Sequence, residues 1–552
     1  MDNPPVLNIA SCLPDRATKS PHQLAVLFPQ GRDPEARVSY TFWNFRELDH
    51  ESDVLAAGLE SIGITRGTRT VLMVTPSLEF FALTFALFKV GAVPVLVDPG
   101  MGLKNLKGCL LEAEPEAFIG IPKAHIARRV FGWAKTSLKT LVTVGTRLLW
   151  GGHTLRQVRR LGEHAGSIMA PTEPDELAAI LFTSGSTGPP KGAKYTHHNF
   201  VSQVELLRTT YDIEPGEIDL TTFPLFALFA PALGMTPVIP DMDPTRPAEV
   251  HPPNVIGPIQ SFGVTNLFGS PALLRTVGQY GEQHNVKLPT LKRVLSAGAA
   301  VPADIIERFS RMLSPGTQIC TPYGATESLP VANIGSNEIL EETRQKTDQG
   351  CGVCVGRAVS GMEVKIIRIT DEPIVNWSDD LVLPPNQVGE IVVAGPVVTA
   401  GYYNRPHADE LGKIADGDTK RHRMGDLGYT DDQGRIWVCG RKSHRVVTSS
   451  GTKFTLQCEA VFNSHPAVFR TALVGVGESD TKEPVLCVEL LKGQKSASQE
   501  TIQTELLALG AQQEHTQDIK TILFHPKFPV DIRHNSKIFR EKLATWATKE
   551  LR

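Results

Sequence analysis

The sequence predicts an α/β protein. A large N-terminal domain of βαβ subdomains carries one strand-rich subdomain, and a small α+β C-terminal domain follows it. Three features of the chain predict this. The first 170 residues alternate strand-like and helix-like runs, residues 352–403 turn to short β-rich runs, and the chain beyond residue 440 returns to mixed strands and helices. At 552 residues the chain is also far longer than a single core usually supports.

In the N-terminal part, TVLMVT, SLEFFALTFALFKVGA and VPVLVDP form a strand–helix–strand series. Such a series implies a parallel sheet covered on both faces. FWNFRELDHESDVLAAGLESIGI has apolar residues at helical spacing, which predicts a surface helix packed by one stripe. The β-rich stretch contains EVKIIRI and EIVVAG separated by Gly, Pro and Asn, and a barrel-like sheet is expected there. A boundary near Gly440 divides the chain into residues 1–440 and 441–552. The latter hold TALVGVG, PVLCVELL, QETIQTELLALG and KIFREKLATWATKEL.

Composition narrows the class of function. With 41% hydrophobic and 21% charged residues and a net charge of −3, the chain reads as an ordinary globular protein. Its basic residues form no run of the kind a phosphate backbone demands, so no nucleic-acid partner is expected. Eight cysteines are too few for a disulfide scaffold, and the opening MDNPPVLNIASCLPDR has no signal-like pattern, so a reducing cytoplasm is expected. Cys351 and Cys354 lack a second pair at zinc spacing and are expected to be structural thiols. Phe223 to Pro240 is uncharged, but Pro224, Pro231, Pro237 and Pro240 favour a buried loop or pocket wall over a transmembrane segment.

The most informative segment is LFTSGSTGPPKGAKYTH. Its Thr183, Ser184, Gly185, Ser186, Thr187 and Gly188, with Lys191 beyond two prolines, have the composition of a phosphate cradle. Glycines let backbone N–H groups converge, hydroxyls add donors, and the lysine adds positive charge. The order of residues is not that of a Walker A loop.

This loop resembles the signature of the adenylate-forming superfamily, which includes acyl-CoA ligases, luciferases and peptide-synthetase adenylation domains. Further motifs follow in family order. LSAGAAVP, with Ala297, Gly298 and Ala299, is similar to the family's adenine-facing turn. TPYGATES is similar to its fifth core motif. The resemblance implies ATP and Mg2+ as cofactors. Tyr323, beside Gly324, would stack on adenine, Thr326 would hold the α-phosphate, and Glu327 would bind the metal. It also implies that Asp426 of MGDLGY grips the ribose, that Arg441 reaches ribose or phosphate, and that a mobile C-terminal lid brings Lys537 to the carboxylate and α-phosphate. WVCGRKSHR resembles the family hinge but departs from it: Gly451 lies one residue too far along, and Ser443 or His444 stands in place of the usual acid.

Two further departures bear on the acceptor. Ala227, in FPLFALFAPALG, stands where many acyl-CoA ligases have histidine. Arg533, His534 and Asn535 of DIRHNSKI resemble the variant tenth motif of olefin β-lactone synthetases. The implied substrate is a long-chain 2-alkyl-3-hydroxy acid, a small-molecule fatty hydroxy acid whose own hydroxyl would close a β-lactone, in company with other olefin-pathway enzymes. Phe223, Leu225, Phe226, Ala227, Leu228 and Phe229 would form the pocket for its alkyl chains. A fatty acyl-CoA ligase is the alternative. A non-catalytic nucleotide-binding protein is disfavoured by the presence of both Lys537 and Glu327. No ring-closing base is marked, although His444 and His534 have side chains that ordinarily titrate near neutrality.

Overall fold

A computed structural model of the chain describes residues 6–98, 101–183, 189–478, 480–491, 499–530 and 538–552. Two seven-stranded sheets dominate the first 330 residues. The first runs, in spatial order, His153–Thr154, Thr140–Thr143, Ala117–Gly120, Arg69–Met73, Val93–Val97, Leu177–Thr183 and Lys191–Thr196. All neighbours are parallel except the last pair, an antiparallel hairpin in which Thr183 stands opposite Lys191. Between Arg69–Met73 and Val93–Val97 runs the helix Leu78–Lys89, capped by Ser77 through the backbone N–H of Phe80. Ten of its twelve residues are buried, which explains its nearly unbroken apolar sequence.

The second sheet runs Gln318–Cys320, Arg293–Leu295, Asn266–Phe268, Ile218–Thr221, Thr236–Val238, Leu24–Arg32 and Val38–Asn44. It is parallel up to Leu24–Arg32, which pairs antiparallel with the edge strand Val38–Asn44. That edge strand takes Phe42 and Trp43 out of the helix expected to begin there. Asn44 then caps Phe45–Ser61, accepting from the Glu47 N–H while the Glu47 carboxylate accepts from the Asn44 N–H.

Beyond residue 350 the strands Val353–Cys354, Ile436–Arg441, Thr419–Thr430, Gly389–Ala394 and Glu363–Ile367 form an antiparallel sheet, with Lys413–Asp416 added to Thr419–Thr430. It is an open sheet among the described residues rather than the expected barrel. The edge strands Val353–Cys354 and Glu363–Ile367 are not bonded to each other. Cys354 packs with Ile334 and Trp437, and burial pushes its thiol up to about 11.

The C-terminal strands Val468–Val476, Glu483–Leu490 and Thr521–Phe524 form one small sheet packed by the helices Thr455–Asn463, Gln499–Gly510 and Arg540–Glu550. The proline-rich stretch folds as two short helices, Pro224–Ala227 and Phe229–Leu233, and the strand Thr236–Val238. Among the described residues no helix is long and apolar enough to cross a membrane.

Candidate nucleotide and acid site

Four parallel strands of the second sheet end side by side, and three of them hand the chain to segments singled out from the sequence. Ile218–Thr221 leads into Phe223–Phe229, Arg293–Leu295 into Ala297–Ala299, and Gln318–Cys320 into Tyr323–Glu327. Asn266–Phe268, between them, supplies Phe268. Carboxyl ends of parallel strands are where open α/β sheets hold ligands, because the connecting loops splay apart there. Gly298 turns at a φ of +94°, a conformation that L side chains rarely adopt.

Tyr323–Ala325 pairs with Ser328–Asn333 in a tight hairpin. Gly324 is required there, since a Cβ would lie 2.6 Å from the Ser328 carbonyl oxygen. The hairpin presents two polar clusters. In the first, Tyr323 Oη donates to Asp426 Oδ2 at 2.8 Å, and Arg441 Nε lies 3.1 Å from Asp426 Oδ1. Asp426 and Arg441 are cross-strand partners, so backbone register sets this ion pair. Burial raises the Asp426 carboxyl, with Arg441 and the Tyr323 hydroxyl opposing that rise. Burial also raises the Tyr323 phenol, reinforced by the Asp426 charge.

The second cluster surrounds Glu327. Tyr402 Oη donates to Glu327 Oε1 at 2.6 Å, and Lys191 Nζ sits 4.9 Å from the centre of the Tyr402 ring. The backbone is held as well: Tyr195 Oη donates to the Thr326 carbonyl at 2.5 Å, and the Thr399 N–H donates to the Glu327 carbonyl at 2.9 Å. Behind it the buried Lys413 Nζ donates to the Thr399 carbonyl at 2.7 Å and its hydroxyl at 3.3 Å. Burial pushes the Lys413 ammonium down to about 7, against the pull of Glu327 and Asp409. The Glu327 charge is also felt at Asp426 and Arg441, so the clusters share one electrostatic field.

Glu327 Oε2 has no hydrogen-bond partner among the described residues, nor do these include a group of three or more His, Cys, Asp or Glu that could hold a metal. A single carboxylate oxygen of this kind suits magnesium, which takes one or two carboxylates and completes its shell with substrate phosphate oxygens and water.

Among the apolar residues, the Phe226 ring lies 5.1 Å from Phe223 and 4.6 Å from Phe268, a partly buried aromatic wall. Ala227 is wholly buried in the N-terminal core, and Phe229 packs against the same core. His444 does not keep the near-neutral titration on which its candidacy as a base rests. Burial pulls it down to about 4, with Arg540 adding to the effect. Ser184 to Gly188, Arg533, His534, Asn535 and Lys537 lie outside the described residues. Tyr195, Tyr402 and Lys413 were missed in the sequence. Tyr402, in the aromatic run GYYN, carried a signal, whereas Lys413 is an unremarkable residue until the fold buries it.

Residues 13–403 match the family model for AMP-binding enzymes. An olefin beta-lactone synthetase of Stenotrophomonas maltophilia (strain K279a) is 53% identical over 552 residues, covering 99% of this chain and 98% of that protein. One of Xanthomonas campestris pv. campestris is 52% identical over 549 residues, covering 98% of each. Among solved structures, the amide bond synthetase McbA from Marinactinospora thermotolerans superposes with a TM-score of 0.78 at 20% identity, covering 98% of this chain and 99% of that one, a likeness of fold. The chain belongs to the AMP-binding enzyme family.

Proposed function

We propose that the chain is an AMP-forming ligase that activates a long-chain 2-alkyl-3-hydroxy acid with ATP and then closes it to a β-lactone. A carboxylate oxygen of the acid attacks the α-phosphorus, the bond to the bridging oxygen of pyrophosphate breaks, and acyl-AMP forms. The 3-hydroxyl oxygen then attacks the acyl carbon, the bond to AMP breaks, and the hydroxyl proton passes to water. An intramolecular nucleophile needs no second substrate, and orientation gives it a very high effective concentration.

The observation that carries this reading is the convergence of the Tyr323–Asp426–Arg441 and Lys191–Tyr402–Glu327 clusters at the strand ends from which the aromatic wall also rises. Tyr323 offers a face for adenine, Asp426 two acceptor oxygens for the ribose diol, and Arg441 opposes the protonation that burial favours at that carboxylate. Thr326 faces the α-phosphate, and Lys191, Thr183 and the Ser184–Gly188 loop receive the remaining phosphates. Glu327 would hold magnesium, which supplies positive charge to offset the phosphates when bound. Residues 1–440 form the body in this proposal and residues 441–552 a lid that carries Lys537 to the two anions as they meet. The relatives' names and the variant DIRHNSKI favour lactone closure. The free thiols of all eight cysteines suit a reducing cytoplasm.

The test supplies ATP, magnesium and a 3-hydroxy acid, with and without CoA, and identifies products by mass spectrometry. β-Lactone, AMP and pyrophosphate without CoA are expected. Failure to obtain lactone and AMP without CoA, together with thioester once CoA is added, would reject lactone closure in favour of acyl-CoA ligation.

A further inference from the structure

The first sheet ends at an edge where apolar side chains and positive charge are exposed together. The helix Pro122–Phe131 turns Ile126 and Val130 outward at a spacing of four, with Phe131 beside them, and Val130 is 69% exposed. The loop after Thr140–Thr143 adds Leu148 and Leu149, the latter 93% exposed. This tip is fastened to the helix rather than left to wander. Arg129 Nη1 donates to the Leu149 carbonyl at 2.8 Å, the Trp150 ring stacks on His125 at 5.2 Å, and Trp150 Nε1 donates to Thr143 Oγ1 at 2.9 Å.

Charge around the tip is segregated in a way no short basic run announces. Residues 121–162 contain nine Lys or Arg and no Asp or Glu, in a chain whose net charge is −3. Lys139 and Arg159 pair with Glu116 and Glu51. The others have no carboxylate partner among the described residues, and Lys123 in the helix and Lys135 just beyond it are exposed.

We propose that this edge docks on an anionic lipid surface, with Val130, Phe131 and Leu149 entering the acyl boundary while the surrounding cations meet the headgroups. Water-exposed aliphatic side chains gain little against the charged phosphate backbone of a nucleic acid, but they gain from a bilayer. The positive field selects a bilayer of negative headgroups. Docking of this kind is peripheral and reversible.

The test is co-sedimentation of the full chain with vesicles of phosphatidylcholine alone or mixed equally with phosphatidylglycerol. Binding to the anionic vesicles and little to the neutral ones is expected. The double variant Val130→Ser/Leu149→Ser should lose roughly tenfold in partitioning through its apolar contribution, and Lys123→Gln/Lys135→Gln a comparable factor that shrinks at high salt. All four positions are exposed, so unchanged melting temperatures will separate lost docking from lost folding. Failure to bind anionic vesicles overturns the proposal, as does equal binding by the apolar variant. So too would a concentration-dependent dimer in light scattering that the apolar variant disperses, or duplex DNA binding that only the charge variant loses. The readout is binding, so its outcome is independent of the reaction proposed above.

Discussion

Lys413 gives the sharpest test of the electrostatics behind Glu327. Its ammonium is buried, bonded among the described residues only to the carbonyl and hydroxyl of Thr399, and titrates at about 7 against an ordinary value of 10.5. The unfolded chain therefore holds this proton more tightly than the folded one across that interval, and folding stability rises with pH there. The cost of burying the group is largest below about 7 and disappears above the unfolded value, amounting at its maximum to about 5 kcal/mol. Lys413→Met removes the cost at every pH while keeping most of the volume. The stability of the variant minus that of the wild type should therefore shrink by about 2.5 kcal/mol between about pH 7.5 and about pH 9.5. Every other titrating group cancels in that difference unless it faces Lys413. The nearby His422 is held well below its ordinary range and changes charge outside this window. Urea unfolding of both proteins at the two pH values measures the gap. A gap that stays constant would mean that Glu327 and Asp409 keep the ammonium charged throughout, and the argument from burial would fail.

The remaining predictions address the proposed chemistry and the fold. Lys537→Ala should slow acid-dependent pyrophosphate release by roughly 100-fold or more with little change in ATP affinity, because the proposal puts the lysine where two anions meet. Release at the wild-type rate would remove it from the mechanism. Asp426→Asn should weaken AMP binding by roughly 10- to 100-fold through loss of a charged acceptor, measured by calorimetry. Because burial holds the Asp426 carboxyl above 3.8, wild-type affinity should begin to fall on acidification before an exposed aspartate would protonate, and the Asn variant should not share that fall. Glu390→Gln should destabilise the strand-rich sheet by about 3–5 kcal/mol, since it leaves a buried charge without its partner. Arg423 and Glu390 are both 1% exposed and 2.6 Å apart. An unchanged denaturation midpoint would show that Lys442, 3.1 Å from the same carboxylate, lies close enough to water for the whole group to be solvated.

The alternation of apolar runs with one-stripe helices determined the parallel sheets, because period and run length are local properties of the chain. Glycine likewise marked Gly298, whose positive φ few other residues adopt, and Gly324, where a Cβ would strike the Ser328 carbonyl. Strand boundaries were less legible: Phe42 and Trp43 fit a helical period but join an edge strand, since pairing with Leu24–Arg32 outweighs the local preference. Only the tertiary structure decided which charges meet. Asp426 faces Arg441 because two strands share a register, and Tyr402 reaches Glu327 across seventy-five positions of sequence. Lys413 is an ordinary lysine in the chain and a perturbed one in the fold, because burial is a property of everything packed around a residue, and no neighbouring sequence specifies it.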